Sequence, residues 1–148
     1  MRRILITGGN KGIGLAIAAR CVKDHDDVHV VLGCRSKERG KTAAKSLEAY
    51  ADRVSVLQLD AASETSIKSA AAEFAKRHGA RSSLYGLVNN AGIASGTPEE
   101  ILTTNVAGPK RITDAFLPML EPSGLRPRVG HDNMGRGTNR SPAQAASS

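Results

Sequence analysis

Thr7-Gly8-Gly9-Asn10-Lys11-Gly12-Ile13-Gly14 follows the short apolar run Ile4-Leu5-Ile6 and opens onto Leu15-Ala16-Ile17-Ala18-Ala19. That order predicts a strand, a glycine-rich turn and a helix. A helix start leaves backbone N–H groups unpaired and carries a partial positive charge. A phosphate can sit there if side chains stay clear. Gly8 can take backbone angles closed to other residues. Gly12 would let the chain approach a pyrophosphate closely, and Gly14 would let the helix pack tightly on the strand. Taken alone, the stretch is also compatible with an ordinary strand-to-helix turn that binds nothing.

Outward from this turn, strands and helices alternate. The first strand is expected over Arg3 to Thr7 and the first helix from Gly12 to about Cys21, with Ile13, Ile17 and Cys21 as its stripe toward the sheet. Val28-His29-Val30-Val31-Leu32-Gly33-Cys34 reads as a buried second strand, rich in β-branched residues. Ser36 would cap a second helix running from Lys37 to about Ala51. Val54 to Leu59 is the third predicted strand, and a third helix starts at Ser63-Glu64-Thr65-Ser66 and stops at His78-Gly79. Leu84 to Asn89 is the fourth strand. A helix from about Glu99 to Leu120 follows, with a kink expected at Pro109. Such alternation implies parallel pairing with right-handed crossovers, an α/β fold.

Composition agrees. Aromatic residues make up 3% and tryptophan is absent, so Ala, Val, Leu and Ile must build the core, as in a parallel sheet covered by small-residue helices. Cys21 and Cys34 are too few for a disulfide framework, and a reducing, cytoplasmic setting is the default expectation. The apolar run after Met1-Arg2-Arg3 is too short for a signal peptide, and no window suggests a membrane span. Of the net charge of +7, the tail after Pro122 carries four Arg against one Asp. That tail also has four Gly, two Pro and few large apolar residues. Residues 1–122 are therefore read as one domain and 123–148 as a disordered basic tail. The tail lacks the aromatics that would favour nucleic acid over a solvated role.

The first motif has the spacing Gly-x-x-x-Gly-x-Gly, one step longer than the commoner dinucleotide fingerprint. Three further landmarks follow in order: Asp60 at the end of the third strand, Asn89-Asn90-Ala91-Gly92 at the end of the fourth, and Thr104-Asn105-Val106-Ala107-Gly108 in the last helix. Each alone has a bland reading, as a turn or a polar mid-helix residue. Together they resemble the short-chain dehydrogenases/reductases over residues 3–122, in particular the carbonyl-reductase-like branch. The resemblance implies a Rossmann-like sheet with strand order 3-2-1-4, here of about four strands and incomplete. It also implies a coenzyme site of Gly8, Asn10, Lys11, Gly12, Ile13, Gly14, Arg35, Ser36, Asp60, Ala61, Asn90, Ala91 and Gly92. In that family the Asp contacts the adenine, the residue after it helps through its backbone, and the helix Asn places a water in a proton relay. Asn105 is thus the one candidate of the catalytic set.

Coenzyme choice follows from charge. An acid at the end of the second strand suits the ribose hydroxyls of NAD, and a cation there suits the 2′-phosphate of NADP. That place holds Arg35 beside Ser36, with Lys11 in the glycine loop. An Arg fork grips phosphate well, so NADP(H) is expected. Two surface cations on a basic chain would be the bland account of either residue alone.

The family's proton donor is a Tyr with a Lys four residues later, assisted by an upstream Ser. Tyr50 is followed at that spacing by Val54, and Tyr85 by Asn89. The expectation is an NADP(H)-dependent oxidoreductase for small carbonyl or alcohol substrates that is inactive as it stands. The tail would then be a frameshift, splice or gene-model product. The alternative is a non-catalytic dinucleotide-binding or interaction module, able to self-associate through its fourth strand or last helix. Other constellations fail. Gly40-Lys41-Thr42 lacks the first glycine of a P-loop, since position 35 is Arg35. Cys21, His25 and His29 are spaced as helix-borne zinc ligands would be, but the helix should end near Lys23, so no metal is expected.

Overall fold

A computed structural model describes residues 1–81, 83–121 and 128–131. β1 (Arg2–Thr7) lies at the centre of a parallel sheet in the order β3-β2-β1-β4-β5. Its neighbours are β2 (Val28–Cys34) and β4 (Gly86–Asn89), and β3 (Val54–Gln58) lies outside β2. Crossover helices α1 (Gly12–Asp24), α2 (Lys37–Lys45) and α3 (Glu64–His78) connect the strands. The predicted order of the first four strands is the one observed.

Strand side chains alternate between two apolar layers. Leu5, Val31 and Leu57 face one way, onto Ile67, Ala70 and Phe74 of α3 and onto Ile112 and Phe116 farther along the chain. Ile6, Val30 and Leu32 face the other way, onto Ala18 and Val22 of α1 and onto Ala43 and Leu47. Burial of each large side chain contributes about 1.5–3 kcal/mol. The rings of Phe74 and Phe116 meet edge-on at 5.7 Å.

Four expectations need correction. The stripe of α1 that meets the sheet is Gly14, Ala18 and Val22, while Ile13 is exposed. The helix is rotated by one residue because glycine alone fits against the turn before it. Next, α2 stops at Lys45, where the Ser46 hydroxyl donates back to the Ala43 carbonyl. A 3₁₀ stretch, Glu48–Arg53, replaces the last predicted turns. Third, the long helix after the fourth strand is four pieces: α4 (Pro98–Leu102), a π-helical turn (Thr103–Ala107), α5 (Gly108–Phe116) and a 3₁₀ turn (Leu117–Met119). The irregularity lies just before Pro109 rather than at it.

Finally, β5 (Arg128–His131) pairs in parallel with β4, Gly86 opposite Arg128 through Asn89 opposite His131. The sheet therefore has five strands, one of them within the stretch read as a disordered tail. The fourth strand has a neighbour on both sides, so it is not a free edge for association. The rest of that tail lies outside the described residues. Leu102, Val106 and Leu117 are exposed along the segment of the predicted last helix.

At the lower end of the sheet His29 and His78 meet ring edge to face, with centroids 6.0 Å apart. His29 Nε2 shares a hydrogen bond with Ser55 Oγ (2.9 Å), and His78 lies against Phe74. Burial first, and the charge of Arg3 second, push both imidazoles below their ordinary value of 6.5. For His29 the weaker effects of Asp52 (upward) and Arg53 (downward) follow; for His78, those of His29 and Arg77 (both downward). Both rings are thus neutral in the fold under conditions where the unfolded chain would protonate them. Their contribution is complete above the unfolded value and is lost as pH falls through it toward the folded values. Urea midpoints should fall between neutral pH and about pH 5, and a His29→Gln/His78→Gln variant should flatten that slope.

Candidate coenzyme site

The register brings the site together. Thr7 lies opposite Gly33, Cys34 opposite Gln58, and Ile6 opposite Val88. The carboxyl ends of β1 to β4 therefore form one edge, carrying Gly8–Gly14, Arg35-Ser36, Asp60-Ala61 and Asn90–Gly92. In open α/β sheets ligands bind at this edge, where the strand order reverses.

Gly8 and Gly12 adopt positive φ, +64° and +57°, which L side chains rarely take. Space is open around the Cβ position of Gly12, which leaves room for a phosphate. Gly14 is the reverse case. A Cβ there would stand 2.4 Å from the Gly8 carbonyl oxygen and 2.5 Å from Asn90 Nδ2.

The helix ends differ in a telling way. Ser36, Ser63 and Thr97 cap α2, α3 and α4, each accepting a backbone N–H with its hydroxyl. At α1 the capping residue is Lys11, no side chain accepts the free N–H groups, and no acid occupies the first turn. The orphan donors and the positive helix end face outward, with a Lys in place of a cap. Asn10, Lys11 and Ile13 flank this opening, the last two exposed.

Thr7 was absent from the predicted site residues. Its hydroxyl accepts from the Asn90 and Ala91 N–H groups, both at 3.0 Å, and donates to the Val88 carbonyl at 3.4 Å. Asn90 Nδ2 donates to the Gly8 carbonyl (3.2 Å). The glycine loop and the Asn-Asn-Ala-Gly turn are thus fastened together. Asn90 Oδ1 is buried with no hydrogen-bond partner among the described residues. Thr7 heads the Thr-Gly-x-x-x-Gly-x-Gly pattern of the sequence, and a polar residue ending an apolar strand usually needs a buried partner, but its role as a fastener was not predicted.

Arg35 is exposed and Ser36 half-buried at the end of β2. Asp60 is held from three directions: its N–H donates to Ser66 Oγ, its Oδ1 accepts from the Ala62 N–H, and its carbonyl accepts from the Ser63 N–H. Ala61 is buried, its carbonyl only 2.6 Å from where a Cβ of Gly108 would stand. Gly108 therefore sets how closely α5 approaches this side of the site.

Asn105 sits in the π turn. Its side-chain amide bonds both backbone groups of Ile93, accepting from N–H and donating to C=O, each at 2.8 Å. Gly108 N–H reaches back five residues to the Thr103 carbonyl. Pro109 has no N–H, so the Asn105 carbonyl lacks its regular helical donor four residues on. Such π turns recur at functional sites. Gly40, read in the sequence only as a failed P-loop, is a packing glycine: a Cβ there would meet Cys34 Sγ at 2.4 Å.

A central parallel sheet with a glycine-rich, uncapped helix start at its switch point defines a dinucleotide-binding α/β protein. The family described as short chain dehydrogenase matches residues 2–128, past Pro122, and the chain belongs to that family. It is 38% identical over 130 residues to carbonyl reductase [NADPH] 1 of Mus musculus, covering 81% of this chain and 45% of that protein. It is 37% identical over 133 residues to carbonyl reductase [NADPH] 3 of Rattus norvegicus, covering 83% and 46%. Among solved structures, the NADPH-bound carbonyl reductase from chicken fatty liver superposes with a TM-score of 0.68 at 31% identity, covering 80% of this chain and 51% of that one. Menthone neomenthol reductase from Mentha piperita gives 0.76 at 26% identity, covering 88% and 59%. The chain spans about half the length of the curated relatives it matches. No helix among the described residues is long and apolar enough to cross a membrane.

Proposed function

We propose that this chain binds NADP(H) along the carboxyl edge of its sheet. The observation that carries the reading is the joint placement of the uncapped α1 terminus with its open Gly12 and of Arg35 ending β2 with no acid beside it. Backbone N–H groups of Gly12, Ile13 and Gly14, helped by Lys11, would hold the pyrophosphate. Arg35 and Ser36 would take the 2′-phosphate, Asp60 and Ala61 the adenine, and Asn90, Ala91 and Gly92 the adenosine ribose. The relatives named carbonyl reductase [NADPH] support the same reading.

The coenzyme supplies a hydride when bound. The residues of this chain bind and orient it, and Asn105 offers a carbonyl that can hold a water. None of residues 1–148 forms a Tyr-x-x-x-Lys pair, so residues 1–148 taken by themselves are assigned coenzyme binding without carbonyl turnover. The reaction of a complete relative would be reduction of small carbonyls to alcohols. The unpaired thiols of Cys21 and Cys34 favour a reducing cytoplasm.

The test is fluorescence titration of the purified chain with NADPH and NADH, followed by NADPH oxidation with a reactive dicarbonyl. Tighter NADPH binding with no oxidation is expected. Tighter NADH binding, or rapid oxidation, overturns the reading. Sedimentation of the same samples tests self-association through the exposed Leu102, Val106 and Leu117, for which an assembly larger than one chain is expected.

A further inference from the structure

Three successive carbonyls shape the turn that leaves β2. The Cys34 carbonyl accepts from the Leu59 N–H at 2.9 Å, and the Ser36 carbonyl accepts from the Gly40 N–H at 3.0 Å. Between them, the Arg35 carbonyl accepts from the side-chain amide of Gln58, Nε2 at 3.3 Å. Gln58 is the last residue of β3, paired with Cys34, and it is exposed. The neighbouring carbonyls are fixed by the backbone of the fold. The one that belongs to the phosphate-facing residue is fixed by a side chain on the next strand.

We propose that Gln58 is a positioning residue for coenzyme selectivity: its amide sets the Arg35–Ser36 peptide plane, and with it the direction in which both side chains meet a 2′-phosphate. The inference rests on the NADP(H) reading above. On the far side, Ser36 is tied to the Arg39 N–H (3.3 Å). The peptide is therefore pinned at both ends while Gln58 is present and at one end without it. An Arg fork gains most from phosphate when its planar donors are aligned. A ligand that lacks the 2′-phosphate does not use that alignment.

Gln58→Met keeps length and shape but removes the donor. The full chain and this variant are titrated with NADPH, NADH, 2′,5′-ADP and 5′-AMP, with melting temperatures recorded alongside. NADPH and 2′,5′-ADP affinities should fall about three- to tenfold, the worth of one hydrogen bond, with NADH and 5′-AMP unchanged. Gln58→Asn, whose amide falls short of the Arg35 carbonyl, should show the same selective loss. In an Arg35→Ala/Ser36→Ala background the Gln58→Met effect should vanish. An equal loss for both coenzymes, no loss, or an effect that persists in that background overturns the role of Gln58 and leaves NADP(H) binding standing. A wild-type chain that binds neither coenzyme removes the parent reading and this one with it.

Discussion

Gly14→Ala is expected to abolish measurable NADPH binding and to lower the melting temperature by about 6–12 °C. The new Cβ would stand 2.4 Å from a carbonyl oxygen and 2.5 Å from an amide nitrogen that is itself bonded to that carbonyl. The first is backbone, and the second, the end of the Asn90 side chain, is tied to that same carbonyl, so relief requires moving the glycine loop and giving up its bond to Asn90. Overpacking of this kind costs up to about 3 kcal/mol. The lost contact between Gly8 and Asn90 separates the phosphate side of the site from the adenosine side, so binding suffers beyond the stability loss. Scanning fluorimetry and NADPH titration check both parts. A variant that melts normally and binds normally would show that the loop can shift without consequence.

Arg35→Glu should weaken NADPH by about a hundredfold or more while leaving NADH within a few-fold. A charge-assisted hydrogen bond is worth about 1.5–3 kcal/mol, which is roughly 10- to 150-fold in affinity. The substituted carboxylate adds repulsion against the 2′-phosphate and can accept from ribose hydroxyls instead. Calorimetric titration at low and high salt reads the result. The NADPH preference of the unaltered chain should shrink as salt screens an exposed Arg. If both coenzymes weaken in parallel, Arg35 acts on a part they share and the assignment of the 2′-phosphate is wrong.

Much of this site could be read from the chain because its chemistry is local. The positions of Gly8, Gly12 and Gly14 follow from what a strand-to-helix turn demands, and each has its steric or conformational reason in the fold. Val28–Cys34 announced itself as a buried strand because nearly every residue is apolar. What stayed hidden was set by contacts between distant residues. The grip of Thr7 on Asn90 spans more than eighty positions, and Gln58 meets Arg35 only once two strands are in register. The facing side of α1 was misread because Ile13 and Ile17 look like core residues, whereas close approach selects the small side of that helix, Gly14 and Ala18. β5, Arg-Val-Gly-His, has too little apolar content to signal itself, and only its pairing with β4 reveals it.

The Thr7 hydroxyl directs its one proton to Val88 and receives two amides with its lone pairs. With its hydrogen-bonding capacity filled from within, it holds the Asn90-Ala91 backbone in shape before any guest arrives. The entropy of ordering that turn is therefore lost when the protein folds, not when the ligand docks. Encounter at this end of the groove becomes a matter of diffusion and charge, a rigid socket rather than a closing hand.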